Sequence, residues 1–256
     1  MKERRIIMAI LENLGVTQDT INNAAYRRVA LAVLIIDISK SMKLYSDDIR
    51  NCIQKLITDL NSDYITADTA CLSVVTFNNH INKLIPFTMV SDIDENIIDN
   101  IEFKSKTHTG SAVIAALESL ADEKKRLSNL GRHFYKSQIY LITDGNPDFC
   151  QAQMEEETKK LAQAYKEIKN FIDTNKGTFY AVGVGDYISD KVMYQLSGGS
   201  PFVRIDEKDL STLFDLVTDT ISDNTNGLHQ ISAEDFKQDY EERLQRENDP
   251  MYEGEE

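Results

Sequence analysis

Three short segments carry side chains able to do chemistry together: Asp37-Ile38-Ser39-Lys40-Ser41, Thr107-His108-Thr109-Gly110 and Thr143-Asp144-Gly145. They offer two carboxylates, Asp37 and Asp144, and the hydroxyls of Ser39, Ser41 and Thr107. An oxygen-only set of this kind suits a hard divalent cation, Mg2+ first, then Mn2+ or Ca2+. In a loop leaving a strand, alternate residues such as 37, 39 and 41 can point the same way. Two carboxylates cannot fill an octahedral shell with charge, so one position stays open for water or an outside acidic oxygen. The plain alternative is that Ser39 and Ser41 cap the next turn and that Asp144-Gly145 is only a turn.

The elements around these segments decide whether they can meet. Residues 29–36 form a near-continuous apolar run, the mark of a strand buried on both faces of a parallel sheet. Residues 44–61 read as a helix with Leu44, Ile49, Ile53, Leu56, Ile57 and Leu60 on one side. Cys71–Phe77 and Lys83–Phe87 flank Asn78-Asn79 and read as a hairpin. A short helix is predicted around Ile93–Ile101 and a longer one over Ser111–Leu120. Ser137–Thr143 is a strand, Glu155–Ile172 a helix, Thr178–Val184 and Phe202–Ile205 strands, and Asp209–Ile221 a helix. The alternation predicts an α/β fold: an open, mostly parallel central sheet, one antiparallel edge hairpin strand, and helices on both faces. In such sheets ligands bind outside the carboxyl ends of the strands, where the Asp37 and Asp144 loops would fall if their strands are neighbours.

At this point the chain resembles the von Willebrand factor A (VWA) family. Asp-x-Ser-x-Ser at 37–41, Thr-x-Thr-Gly at 107–110 and Thr-Asp-Gly at 143–145 look like its metal-ion-dependent adhesion site, MIDAS. Val75-Thr76-Phe77-Asn78 and the segment Tyr180–Asp186 extend the likeness over about residues 29–222. One departure is Ser105-Lys106, where many members have Gly-Gly. The resemblance implies that Ser39 and Ser41 ligate the metal directly. It implies that Asp37 and Asp144 act mostly through waters, and that Thr107 binds when the site is engaged. The vacant position would take an acidic side chain or terminal carboxylate of a partner protein. Leu213–Ile221 looks most like the bacterial tellurium-resistance-type branch, which implies a role in tellurite or general stress response.

Other features are weighed beside this. A haloacid-dehalogenase-type phosphatase also places an Asp after the first strand, and Asp186 and Asp190 could serve it. Such enzymes use Asp-x-Asp, and Ser39 cannot act as the general acid. Without a matched nucleophile and base, the protein is read as a non-enzymatic, metal-dependent binding module or scaffold. A scaffold whose metal is only structural is the remaining alternative. His108, between two threonines, could border the ligand but is read as solvent-facing, while His80, His133 and His229 lack partners at ligand spacing. Cys150 follows the Asp144 loop and could lie near it. Cys52, Cys71 and Cys150 form no CxxC, so neither a disulfide framework nor a zinc site is expected, and a cytoplasmic setting is.

Charge divides the chain. Of a net charge of −14, residues 1–28 contribute +2 and residues 228–256 contribute −7. An acidic chain is a poor nucleic-acid binder, and no apolar run is long enough for a membrane span. Residues 1–26 are expected to be a helical extension carrying Ile6, Ile7, Ile10, Leu11 and Leu14. Residues 27–224 are the expected VWA domain. Ser222 leads into DNTNG, read as a linker. Residues 225–256 are read as an acidic C-terminal tail, possibly part helical, either solvated or docked on a partner through Phe236, Tyr240 and Leu244. Deleting the tail is then expected to leave stability nearly unchanged.

Overall fold

In a computed structural model that describes residues 28–149, 151–227 and 231–247, the run read as a doubly buried strand is β1, Ala30–Asp37, with all eight residues buried. A 3-10 turn (Ser41–Tyr45), α1 (Ser46–Ser62), α2 (Tyr64–Thr69), β2 (Ala70–Phe77) and β3 (Ile81–Met89) follow. Then come a 3-10 helix (Glu95–Asn100), α3 (Thr109–Asn129), β4 (Ser137–Thr143), α4 (Met154–Asp173) and β5 (Gly177–Val184). The chain continues through α5 (Asp190–Leu196), β6 (Val203–Ile205), α6 (Leu210–Thr225) and α7 (Ala233–Glu247). The residues read as an N-terminal helix, and Cys150, lie outside the described set.

The sheet has the order β3-β2-β1-β4-β5-β6, parallel except for β3. The expected fold class is therefore the observed one. Side-chain alternation along β1 feeds two cores. Leu31, Val33 and Ile35 pack with Val113 and Ala116 of α3 and Ile168 of α4. Ala32, Leu34 and Ile36 pack with Ile49, Ile53 and Leu56 of α1 and Leu213 and Val217 of α6. Each such side chain contributes about 1.5–3 kcal/mol by leaving water, which is why β1 anchors both layers. No helix among the described residues is long and apolar enough to cross a membrane.

Several local expectations need correction. Leu44 is not on the inward face of α1: it is 82% exposed, because the chain first makes a 3-10 turn that buries Met42 and Tyr45 instead. The helix placed around Ile93–Ile101 is a 3-10 helix. α3 runs nine residues past Leu120. α2 and α5 were not anticipated; Asp63 caps the first by accepting from Thr66 N at 3.1 Å, and Ser189 caps the second by accepting from Val192 N at 3.3 Å. DNTNG is no linker at its start, since α6 continues to Thr225 and buries Asn224, whose Nδ2 donates to Lys136 O at 3.2 Å.

The largest correction concerns the acidic tail. α7 is neither solvated nor left for a partner: Phe236 and Tyr240 are each 1% exposed. Tyr140 and Tyr180, level in the β4–β5 register, stack at 4.8 Å, and the Phe236 ring lies 4.5 Å from that of Tyr180. The Tyr180 hydroxyl donates to Ile231 O at 2.8 Å, and Arg243 reaches Asp219 of α6 at 2.9 Å. Ser232 and Asp235 bond reciprocally and start the helix as a capping box does.

Candidate metal site at the carboxyl end of the sheet

β1 and β4 pair in parallel, with Ile36 level with Ile142, so the residues that follow leave the sheet side by side. Asp37 turns back on its own loop. Its Oδ1 accepts from Ser39 N at 2.8 Å, an Asx turn, and its Oδ2 accepts from Thr143 Oγ1 at 2.6 Å. The Ser39 and Ser41 hydroxyls lie 3.1 Å apart, and Ser41 Oγ donates to Asp144 Oδ1 at 2.9 Å. A Cβ added to Gly145 would stand 3.8 Å from Thr107 Oγ1 and 3.9 Å from Ser41 Oγ, so the third loop borders the same point. All five residues singled out by sequence, Asp37, Ser39, Ser41, Thr107 and Asp144, meet in one place. Ser39, Ser41 and Thr107 line an open depression of about 750 Å3 together with Leu44, Asn79, Lys106 and Asp148, while Asp37 and Asp144 are buried behind them.

The donor chemistry fits a divalent cation. Asp37 is fully buried and Asp144 is 2% exposed, yet among the described residues neither carboxylate makes an ion pair. Burial pushes the Asp37 carboxyl up to about 7, against hydrogen bonds from Thr143 and Ser39 that hold it down. Burial also raises Asp144. Two buried acids, Asp37 bonded by Thr143 and Ser39 and Asp144 by Ser41, with no cation of the protein beside them, make an oxygen set whose chemistry fits a divalent cation. No three His, Cys, Asp or Glu side chains gather as a metal cluster among the described residues, so hydroxyls must complete any ligand set.

The Thr107 loop is held from three sides. Thr107 N donates to Asp148 O at 3.2 Å and Asp148 N returns to Thr107 O at 3.1 Å. His108 N donates to Asn78 O at 2.9 Å, tying the loop to the β2–β3 turn. Ser105 takes φ 73°, a left-handed conformation that favours glycine, and its carbonyl accepts from Lys40 N at 3.2 Å. The departure from Gly-Gly thus leaves the left-handed turn in place on a serine. Lys106 pairs with Asp148 at the rim.

His108 is not solvent-facing, as the sequence suggested. It is 3% exposed, with Nδ1 3.7 Å from Glu157 Oε2 and its ring edge-on to Phe149 at 5.6 Å. Sequence reasoning also passed over Thr143, Asp148, Asn78 and Glu157, which orient the loops. Thr143 was legible inside Thr-Asp-Gly and Asn78 inside Val-Thr-Phe-Asn; Asp148 and Glu157 act across the fold and leave no local signal. Asp186 and Asp190, the acids a phosphatase would need, are both exposed, and Asp190 is engaged by Arg204 at 2.7 Å.

Gly110 sets how close α3 lies to α4. A Cβ there would meet the Leu161 N and Cα at 2.5 Å, backbone atoms that cannot swing away. Gly110→Ala should therefore force the two helices apart and shift the adjoining Thr107 loop. A loss of about 1–3 kcal/mol is expected in a urea melt, the range for overpacking. An unchanged midpoint would show that this contact is not tight.

The comparisons agree with the fold. A family model described as von Willebrand factor type A domain matches residues 32–219. No curated protein matches the chain. Among solved structures, the vWF domain of the type V pili tip protein Mfa5 from Porphyromonas gingivalis is similar at TM-score 0.59 and 12% identity, covering 81% of this chain and 99% of that one. The pilus adhesin SpaC from Lactobacillus rhamnosus GG gives TM-score 0.59 and 11% identity over 77% of this chain and 30% of that one. The mussel byssus proximal thread matrix protein 1, in a form with a zinc-occupied MIDAS motif, gives TM-score 0.50 and 15% identity over 77% and 48%. The chain thus spans about half of the mussel protein and under a third of SpaC. These likenesses concern the fold. With the family model covering most of the chain, the chain belongs to the von Willebrand factor type A domain family.

Proposed function

We propose that this VWA domain is a non-enzymatic protein-binding module whose site takes a divalent cation, Mg2+ first, and through it a partner's carboxylate. The observation that carries this is the pair of buried acids, Asp37 and Asp144, facing the Ser39, Ser41 and Thr107 hydroxyls without a protein cation. Ser39, Ser41 and, on engagement, Thr107 would hold the ion. Asp37 and Asp144 would orient its waters. The cation supplies positive charge at an open depression, which an outside Asp or Glu can satisfy. The tip-protein and adhesin structures similar in fold support an interaction role. Exposed Asp186 and the Asp190–Arg204 pair give a phosphatase reading no support. The stress-response branch rests on residues 213–221 alone. A cytoplasmic setting rests on the composition and on Cys52 and Cys71 being free and buried.

Titration calorimetry with Mg2+ and Mn2+, beside capture of partners from the native host with and without EDTA, tests the reading. Ser41→Ala should weaken the metal at least about tenfold. Thr107→Ala should keep much of the metal affinity yet lose partner capture by about tenfold or more, ~1.4 kcal/mol. Capture that ignores EDTA would leave the metal a structural role only. Undetectable metal binding by the wild type would discard the site.

A further inference from the structure

The amino end of the sheet, opposite the candidate metal site, carries charge of the other sign. Residues 124–136 read Lys-Lys-Arg-Leu-Ser-Asn-Leu-Gly-Arg-His-Phe-Tyr-Lys, five bases and no acid in a chain of net −14. They close α3 and lead into β4. Parallel pairing brings two more bases to them from far off in sequence. β1, β4 and β5 are consecutive in the sheet, and all three start at this end. Val29 N donates to His133 O and Tyr135 N to Val29 O, each at 2.9 Å, so Arg28 enters beside Tyr135 and its guanidinium lies 5.6 Å over that ring. Ser137 is level with Gly177, which sets Lys136 beside Lys176. Arg28, Lys136 and Lys176 thus stand at three successive strand entries, about 4.8 Å apart, and all three are exposed.

These charges meet no counter-ion among the described residues. Arg126 is paired with Glu123 at 2.6 Å and is set aside. Lys136 Nζ donates to Asn175 Oδ1 at 2.6 Å and Lys124 Nζ to Lys176 O at 3.0 Å, both neutral acceptors. Burial, with Lys176 close by, pushes the Lys124 amine down to about 8. The sequence entering at Arg28 brings no surplus of acid, since residues 1–28 are themselves +2. Beside the row lies an open depression of about 580 Å3, whose lining includes Arg28, Tyr135, Lys136, Asn175, Asn224 and Ser232 and no acidic side chain. Its borders are acidic: Glu234 and Asp235 begin α7 just past Ser232, and Asp173, held by Lys169 at 3.3 Å, comes shortly before Asn175. The cationic strip is therefore short. A strand charged along its whole length would run off it onto acids, whereas a short acidic segment would not. In an extended segment alternate side chains share a side and recur about every 7 Å, within reach of successive long Lys and Arg side chains.

We infer that the amino end of the sheet is a second docking surface, which takes an extended acidic segment of a partner protein across Arg28, Lys136 and Lys176. This surface works without the metal. With the metal site at the other end, the domain bridges two acidic ligands.

Fluorescence anisotropy of a labelled peptide of six Glu-Ser repeats tests this with the full chain in EDTA, where the metal site is silent. Saturable binding is expected, severalfold weaker at about 200 mM than at about 50 mM salt. Arg28→Gln/Lys136→Gln/Lys176→Gln should weaken the peptide about tenfold or more, with an unchanged urea midpoint because all three side chains are exposed. Lys136→Gln alone, at the centre of the row, should weaken it about threefold. Lys83→Gln/Lys191→Gln/Lys208→Gln removes three exposed cations elsewhere and should bind as the wild type does. No binding by the wild type, or an equal loss in the two triple variants, would overturn the proposal. A labelled oligo-dT of the same length that binds as tightly as the peptide would overturn the assignment to an acidic protein segment.

Discussion

Phe236→Ala is expected to lower the melting temperature by about 10 °C, from a helix the sequence suggested could be deleted silently. The Phe236 ring is fully enclosed, 4.5 Å from Tyr180 and 5.9 Å from Tyr140, whose rings stack on each other. Removing such a ring costs about 3–5 kcal/mol, transfer and cavity together. In a chain of this size each kcal/mol moves the melting temperature by about 2–4 °C. The loss should propagate, because the Phe236 ring packs on both sheet tyrosines in the core that α6 also lines. Glu241→Ala, on the exposed face of the same helix, should stay within about 0.5 kcal/mol of the wild type. Calorimetric melts of the three proteins decide it. A Phe236→Ala melt indistinguishable from wild type would mean that α7 does not dock in solution.

The second large effect is one of opposite sign. In EDTA at pH 8, Asp37→Asn should be more stable than the wild type. Burial raises the Asp37 carboxyl from 3.8 to about 7, so the unfolded chain loses this proton near pH 4 while the folded one keeps it to about 7. A carboxyl raised in this way leaves stability untouched below pH 4. It costs up to about 1.4 kcal/mol for each pH unit above that, and the cost is complete near pH 7. Asparagine keeps the acceptor for Ser39 N, and the Thr143 hydroxyl can rotate to accept from the amide. The variant should therefore gain about 2–4 kcal/mol at pH 8 and nothing at pH 4. Added Mg2+ should stabilise only the wild type, since the variant lacks the charge that draws the ion. Urea melts at the two pH values, with and without Mg2+, measure all of this. Equal stability in EDTA at pH 8 would show that Asp37 is not desolvated in the metal-free protein.

How much of this was legible follows from how far each feature acts along the chain. Doubly buried strands announce themselves because both faces must be apolar, and Ala30–Asp37 and Ser137–Thr143 could be read from that alone. Three loops at strand ends with oxygen side chains could be assigned to one site because parallel neighbours put their carboxyl ends together. Thr143, inside its own motif, could have been added. The inward face of Ile49, Ile53, Leu56, Ile57 and Leu60 was likewise set by helical spacing. Leu44, one turn earlier, was misplaced because a 3-10 turn shifts the phase of a helix at its first residues, where periodicity is weakest.

Only the tertiary structure decided the fates of His108, Phe236 and Tyr240. Each is a local pattern with two physical outcomes, exposed or covered, and the covering partner lies far off in sequence: Glu157 for His108, Tyr140 and Tyr180 for Phe236. A stripe of apolar residues every four positions among acids looks the same whether it meets water, a partner or its own sheet. Its burial is settled by whether the fold leaves a matching uncovered face, and here the β4–β5 tyrosines supply it. The sequence by itself determined the sheet, its two helical layers and which five oxygen-bearing side chains would come together, because those follow from period, polarity and chain direction. The closing of α7 over the sheet depended on contacts between residues scores of positions apart, which no local rule contains.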